Sequence, residues 1–349
     1  MDGADALTSE AGLLAAARDG DDVAFERLIE PYRGRLHAYC YRMLGSVHDA
    51  DDALQDTLLG AWRGLAGFQE RSSLRSWLYR IATNACLRLA RRRPGRMLSA
   101  DYGPARGDVH DLGEPVSEPI WLEPYPDPPA GPDTDPEAHY QQREHVELAL
   151  VAALQHLPPT QRAVLVLREV LAFSAAEVAQ MLDTSVAGVN SALQRARRAI
   201  DERVVAGSQQ AELRALGERG QRELVAAFVA AWERADVDAM VGLLADDARF
   251  GMPPLPAWFL GRGQIVRFMA ERAAEFPWRL LRVGANTQLA FALYQGDQTG
   301  GPLRLNAINV VTLRDGRISE MTGFLDPAVH RRFGLPEQLG DDQESGPRR

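Results

Sequence analysis

The sequence predicts a multidomain chain, two all-α blocks followed by an α+β domain. Three observations predict it. First, 349 residues exceed one domain of the usual ~100–200 residues. Second, apolar residues recur at three- and four-residue steps through two separate stretches, and a proline-rich segment parts them. Third, the last third changes period, from two helical patterns to a series of short strand-like runs.

The first block, residues 8–93, reads as helices over Thr8–Arg18, Asp21–Met43, Val47–Gly64 and Ser73–Arg93. Phe25, Leu28, Ile29, Tyr32, Leu36, Tyr39 and Met43 form a long apolar stripe. The next helix, HDADDALQDTLLGAW, carries Asp49, Asp52 and Asp56 on one face. In the fourth, Trp77, Leu78, Ile81, Ala82, Ala85 and Leu89 make the apolar side, and Arg80, Asn84, Arg88 and Arg91 one polar strip. An Asn among arginines suits a base edge flanked by phosphates. Before it, the loop Phe68–Ser72, with Arg71, pairs an aromatic with polar groups, as capture of an unstacked base requires.

From Pro94 to Pro136 the prolines exclude regular structure and acids outnumber arginines, the composition of a linker (residues 94–136). Within it Ile120–Asp127, IWLEPYPD, is apolar and aromatic, so Trp121, Leu122 and Tyr125 are expected to dock, on a partner or on this chain.

The second block, residues 137–206, begins with a helix over His139–Leu157, stopped by Pro158 and Pro159, and continues with Thr160–Glu169. Then FSAAEVAQMLDTSVAGVNSALQRARRAI (Phe173–Ile200) reads as two helices about a tight turn, with Ser174 and Glu177 forming a capping box. A second helix that is polar on one face and basic at its end describes a helix-turn-helix. Asn190, Gln194 and Arg197 share one strip, with Ser191, Arg195 and Arg198 beside it.

The formal net charge of −9 argues against unaided DNA binding, although phosphate neutralisation needs local clusters rather than a basic total. Such clusters occur at Arg88–Arg96 and Arg195–Arg203. Cys40 and Cys86 lack zinc-site spacing and read as buried thiols. Neither a secretory signal nor a run of ~20 apolar residues is visible, so a cytoplasmic protein with no membrane partner is expected.

The succession of DADDALQDTLLGAW, SSLRSWLYRIATNACLRLARRR and LPPTQRAVLVLREVLAFSAAEVAQMLDTSVAGVNSALQRARR resembles the extracytoplasmic-function (ECF, group 4) sigma-70 factors. The resemblance covers both helical blocks in order. It implies that Asp49, Asp52, Gln55 and Asp56 meet the β′ coiled coil of core RNA polymerase, with the β flap as a second polymerase partner. It implies that Phe68–Ser73 with Arg80, Asn84, Arg88 and Arg91 melt the minus-10 element, and that Asn190, Gln194, Arg195 and Arg198 read the minus-35 element. The acidic connector would thread polymerase channels that otherwise hold nucleic acid.

The third domain, residues 218–335, follows a polar link over Gln209–Gly220 and precedes a tail, 336–349, expected to be disordered. Its helices are read at Glu223–Ala235, Asp238–Leu244 and Gly263–Ala274. Strands are read at Arg249–Met252, Trp278–Val283, Thr287–Tyr294, Arg304–Leu313 and Arg317–Leu325. Helices followed by a curled sheet, with the phrase WERADVDAMVGLLADDARFGMPP, resemble the SnoaL-like (NTF2-like) cone fold. That resemblance implies a pocket, with Trp232, Met252, Trp258, Phe259, Tyr294, Asn306, Asn309 and Phe324 as candidate lining. Asp246 and Asp247 stand where some such enzymes place a base, yet no His or Tyr partner sits at a readable spacing. No catalytic residue, metal or cofactor is therefore expected. The reading is a sigma factor whose third domain regulates in cis, through a small ligand or through the connector. The rival reading is an isomerase-like enzyme joined to a DNA-binding module.

Overall fold

A computed structural model describes residues 9–93, 95–127, 147–203 and 208–340. The chain divides into two compact units, Met1–Arg96 with Leu150–Val204, and Met97–Ala149 with Val205–Arg349.

The first unit is helical. It contains α1 (Glu10–Arg18), α2 (Asp22–Leu44), α3 (Val47–Gly64) and α4 (Leu74–Arg92). Each starts on an oxygen-bearing cap, Ser9, Asp21, Ser46 and Ser73, whose side chain accepts first-turn N–H groups. After the one-turn α5 (Ser99–Tyr102) of the second unit come α6 (Leu148–Gln155) and α7 (Pro159–Leu165). The helix expected to continue to Glu169 becomes a π turn at Val166–Val170. The pair α8 (Ala175–Met181) and α9 (Val186–Asp201) follows, with the Ser174–Glu177 capping box in place. The first part of the predicted stretch over His139–Leu157, from 139 to 146, lies outside the described residues.

The two helical blocks share one core. Tyr39 meets Tyr79 edge-on at 5.3 Å, and Tyr79 meets Phe173 at 5.2 Å. Arg162 of α7 is buried and donates to the carbonyls of Met43, Gln155 and Leu157. Burial pulls its pKa down to about 10, so it stays charged at neutral pH while capping carbonyls that water cannot reach. Cys40 and Cys86 are free and buried, and burial holds the Cys86 thiol well above its ordinary range.

The second unit is α+β. It holds α10 (Gln209–Glu233), α11 (Val237–Leu243), α12 (Arg262–Phe268) and α13 (Pro327–His330). Its strands are β1 (Leu244–Gly251), β2 (Trp258–Leu260), β3 (Trp278–Ala285), β4 (Gln288–Gln295), β5 (Leu303–Arg314), β6 (Arg317–Phe324) and β7 (Gln338–Leu339). The sheet order is β2-β1-β6-β5-β4-β3, with β7 paired to β5. All pairs are antiparallel except β1 with β6. Asp315 and Gly316, both at positive φ, turn the β5–β6 hairpin. Phe228, Trp232, Phe250, Phe268 and Phe291 join one aromatic core between helices and sheet.

Several expectations are corrected. The polar link over Gln209–Gly220 is the start of α10. Gln209 clamps β5 from inside, donating to the Leu313 carbonyl and accepting its N–H, and Leu213 and Leu216 reach the core. Only a kink at Gly217 marks the break that the sequence suggested. Strand β1 begins at Leu244 rather than Arg249, because Leu244, Ala245 and Ala248 are already buried. Residues 336–340 are not a disordered tail. The Pro336 carbonyl accepts from the Tyr294 hydroxyl at 2.9 Å and β7 pairs with β5. Residues 341–349 lie outside the described residues. The connector is not wholly irregular either, since α5 forms one helical turn in it. Pro94 and residues 128–136 fall outside the described residues.

Candidate functional site

On the first unit the exposed polar strip of α4 is real. Arg80, Asn84, Arg88 and Arg91 all face solvent, because Leu78, Ala82, Ala85 and Cys86 turn the opposite side into the core. On α9 the same logic holds: Val189, Ala192, Leu193 and Ala196 are buried, and Asn190, Gln194, Arg195 and Arg198 are exposed. Arg197, on the same helix, is engaged by Glu169 at 2.6 Å.

Two site residues are placed otherwise than expected. Asp49 is 2 % exposed, paired with Arg96 and Arg93, so its carboxylate faces inward and offers nothing to a partner. Its position near the N-terminus of α3 reconciles the helix start with two arginines from beyond α4. Asp52, Gln55 and Asp56 remain exposed. Phe68 is 7 % exposed, its ring 4.8 Å from Trp77 and covered by Arg18, whose guanidinium also binds the Phe68 carbonyl. The ring is therefore core here, while Arg71 is free-standing at the surface. Arg88 and Asp56, assigned from the sequence to DNA and to polymerase, pair at 3.3 Å. Both are more than half exposed, and such pairs hold weakly, by roughly 0–1 kcal/mol.

In the second unit the connector lies along the cone. The Ser99 hydroxyl donates to Leu255, the Trp258 indole N–H to Gly103, and the Arg106 N–H to Trp258. The Val116 N–H reaches Pro254, and the Asp127 N–H reaches Gly284. Val109 is fully buried in the cone core. Tyr125 and Asn286 exchange two bonds, and Asp127 Oδ1 accepts the Thr287 N–H at 2.8 Å. Gly284 lets Asp127 approach: a Cβ there would stand 2.8 Å from the Asp127 Cβ. Leu122 is 1 % and Trp121 7 % exposed, the latter donating to the Val116 carbonyl and packed at a tilt against Tyr102. Asn286, Gln209 and Gln288 carry none of the patterns that mark a site, and only their buried partners reveal them.

A cavity of about 230 Å³ opens between the sheet, α10 and the α12 end. Trp232, Met252, Asn306 and Asn309 line it. The other four candidates do not line it, and strand alternation accounts for two of them. Gly323 and Leu325 face the cavity, so Phe324 points away. Leu293 and Gln295 face it, so Tyr294 joins the small cluster with Ile308 and Leu339. Phe259 packs on Phe250 and Phe268, and Trp258 anchors the connector. A bulge between Leu293 and Tyr294 inserts Asn306 opposite them and turns it to the cavity, where it donates to Gln295 at 2.9 Å.

The lining contains no carboxylate, imidazole, thiol or hydroxyl group; its one ionisable side chain is Arg272. Asp246 and Asp247 lie on the outer surface, paired with Arg262 and Arg314. Arg314 holds the Asp247 carboxyl below its ordinary range. The cavity can bind and orient, but it has no side chain suited to move a proton to or from a substrate. Among the described residues no group of acids, histidines or cysteines forms a metal cluster, and no helix is long and apolar enough to cross a membrane.

Three segments of the chain match known family models. Residues 28–95 match Sigma-70 region 2, residues 147–200 Sigma-70 region 4, and residues 225–321 a SnoaL-like domain. The chain is 42 % identical over 331 residues to the ECF RNA polymerase sigma factor SigG of Mycobacterium tuberculosis, covering 93 % of this chain and 86 % of that protein. It is 32 % identical over 191 residues to SigM of the same organism, covering 54 % of this chain and 81 % of SigM. The crystal structure of M. tuberculosis SigJ shares the fold, with a TM-score of 0.60 and 23 % identity, over 88 % of this chain and 100 % of that one.

Proposed function

This chain belongs to the ECF RNA polymerase sigma factors, and on that premise we propose that its SnoaL-like domain regulates promoter use in cis by holding the connector. Sigma factors bind core RNA polymerase and promoter DNA, and they are not enzymes. The exposed strip of α4 with Arg71 is assigned to the minus-10 element. Asn190, Gln194, Arg195 and Arg198 are assigned to the minus-35 element. Asp52, Gln55 and Asp56 are assigned to the β′ coiled coil, with the β flap as a second polymerase contact. The work is done in the cytoplasm, where polymerase and promoter are.

One observation carries the regulatory reading: the connector, Met97 to Asp127, is hydrogen-bonded to the cone along its described length. An extended acidic segment held there is withheld from a basic polymerase channel. Releasing it requires breaking several part-buried bonds, each worth about 1 kcal/mol net. The test is run-off transcription and core-binding titration with the full chain and with an Asp127→Ala/Asn286→Ala double variant. Release should raise core affinity and transcript yield at least about threefold. Unchanged affinity and yield would sink the proposal.

A further inference from the structure

We infer that the cone cavity is a binding site for a small, uncharged two-ring molecule carrying a cis-amide (lactam or imide) edge, and that Asn309 reads that edge. Asn309 is 1 % exposed and lines the cavity, yet neither its Nδ2 nor its Oδ1 has a hydrogen-bond partner among the described residues. A buried amide with both ends unmet is costly, and native proteins keep such a group where something else completes it. Asn309 sits mid-strand in β5, opposite Phe291 on one side and Gly323 on the other. The strand's backbone is therefore satisfied, and the amide alone is left over. Gly323 contributes no side chain, which leaves room directly beside it. A second lining residue, Trp232, likewise leaves its buried indole N–H unpartnered.

The complement of a carboxamide is a group presenting an N–H donor and a C=O acceptor side by side. The ligand N–H donates to Asn309 Oδ1, and the ligand carbonyl accepts from Asn309 Nδ2. This is the bidentate logic by which Asn reads adenine. A further ligand acceptor would take the Trp232 N–H. The rest of the lining is apolar and aromatic, including Phe250, Phe268 and Trp278, so the body of the ligand is a flat apolar ring system. Size narrows it further. A cavity of about 150 Å³ holds one benzene, and this one is about 230 Å³. The inference concerns the cavity alone, and it stands whether or not the docked connector governs transcription.

The test uses the full chain and three probes in isothermal titration: carbostyril (a two-ring lactam), N-methylcarbostyril, which lacks the donor, and naphthalene, which lacks both groups. Carbostyril should bind at least about tenfold tighter than either, the effect of one buried hydrogen bond left unmade. In Asn309→Leu the lactam preference should vanish while naphthalene is retained. That variant removes two unmet polar atoms at nearly constant volume, so it should melt no lower than the parent. Equal binding of the three probes, or no carbostyril binding at its solubility limit, would overturn the inference. A fourth titration, with 2-naphthoate, tests the alternative: binding tighter than carbostyril would also overturn it, by placing recognition at the Arg272 guanidinium.

Discussion

Tyr125 and Asn286 hold each other reciprocally: the Tyr125 N–H donates to Asn286 Oδ1 at 2.8 Å, and the Asn286 N–H donates to the Tyr125 carbonyl at 2.8 Å. The pair ties the connector to the β3–β4 turn. Asn286 is fully buried at φ 53°, a conformation that Asn tolerates better than most residues. Asn286→Ala removes the acceptor and strains the backbone. It should destabilise the second unit by about 2 kcal/mol or more. Asn286→Gly keeps the backbone freedom and should cost less. Urea unfolding, with proteolysis of residues 103–127 under native conditions, checks both. Equal loss in the two variants would assign the whole effect to the side-chain bond.

Gly113 makes a second, independent test of the docked connector. It lies at φ 71°, and a Cβ there would stand 2.7 Å from Pro256 Cγ. Gly113→Ala should loosen the strap at that point and speed cleavage there, with little change in the first unit's unfolding. Unaltered cleavage would mean that the strap tolerates the displacement.

Arg75 is the joint between the helical blocks. Its guanidinium lies 4.0 Å over the Phe173 ring and donates to the Leu171 carbonyl at 2.7 Å, while neighbouring Ser76 donates to Glu177 at 3.0 Å. Arg75→Ala should cost about 1–3 kcal/mol and raise amide exchange in α8 more than in α3. Uniform exchange changes throughout the unit would show global destabilisation instead of a loosened joint.

The α9 surface separates base reading from phosphate holding. Arg195→Ala and Arg198→Ala should weaken promoter binding across sequences and reduce the salt slope by about one each. Asn190→Ala and Gln194→Ala should instead relax sequence preference, by roughly 1–3 kcal/mol at one base pair. Core polymerase affinity should not move in any of the four. Its loss would make α9 a scaffold.

His330 predicts a pH dependence of the second unit. It is buried against the Phe324 carbonyl, with the ring nitrogen 2.7 Å from that oxygen, and burial lowers its pKa below the ordinary 6.5. The unfolded chain then binds more protons than the folded one as pH falls below 6.5. The stability is complete above that pH and declines on acidification toward the folded-state pKa. His330→Gln keeps a donor and should flatten the decline between about pH 7 and about pH 5. A decline as steep in the variant would assign it to other groups.

Much of the helical blocks was legible because helix caps and apolar periodicity are local. Ser73, Ser174 with Glu177, and the alternation that exposes Asn84 and Asn190 follow from spacing alone. Asp49 was not legible. It shares a face with Asp52 and Asp56 in the pattern, yet its burial depends on Arg93 and Arg96, which arrive from more than forty residues away. The same holds for Phe68, whose cover is Arg18. In the cone, strand alternation separates Asn309 from Tyr294, but the bulge that turns Asn306 inward depends on strand pairing.

By itself the sequence determined the order of the domains, the helix-turn-helix, and the apolar character of Ile120–Asp127 inside an acidic connector. Each is a matter of local propensity or of motifs in succession. Only the tertiary structure decided where that connector rests, which acid of α3 is withdrawn, and that the cavity keeps a buried amide with no partner among the described residues. Those are contacts between residues distant in the chain, and spacing along a sequence carries no record of which buried partner a polar group will meet.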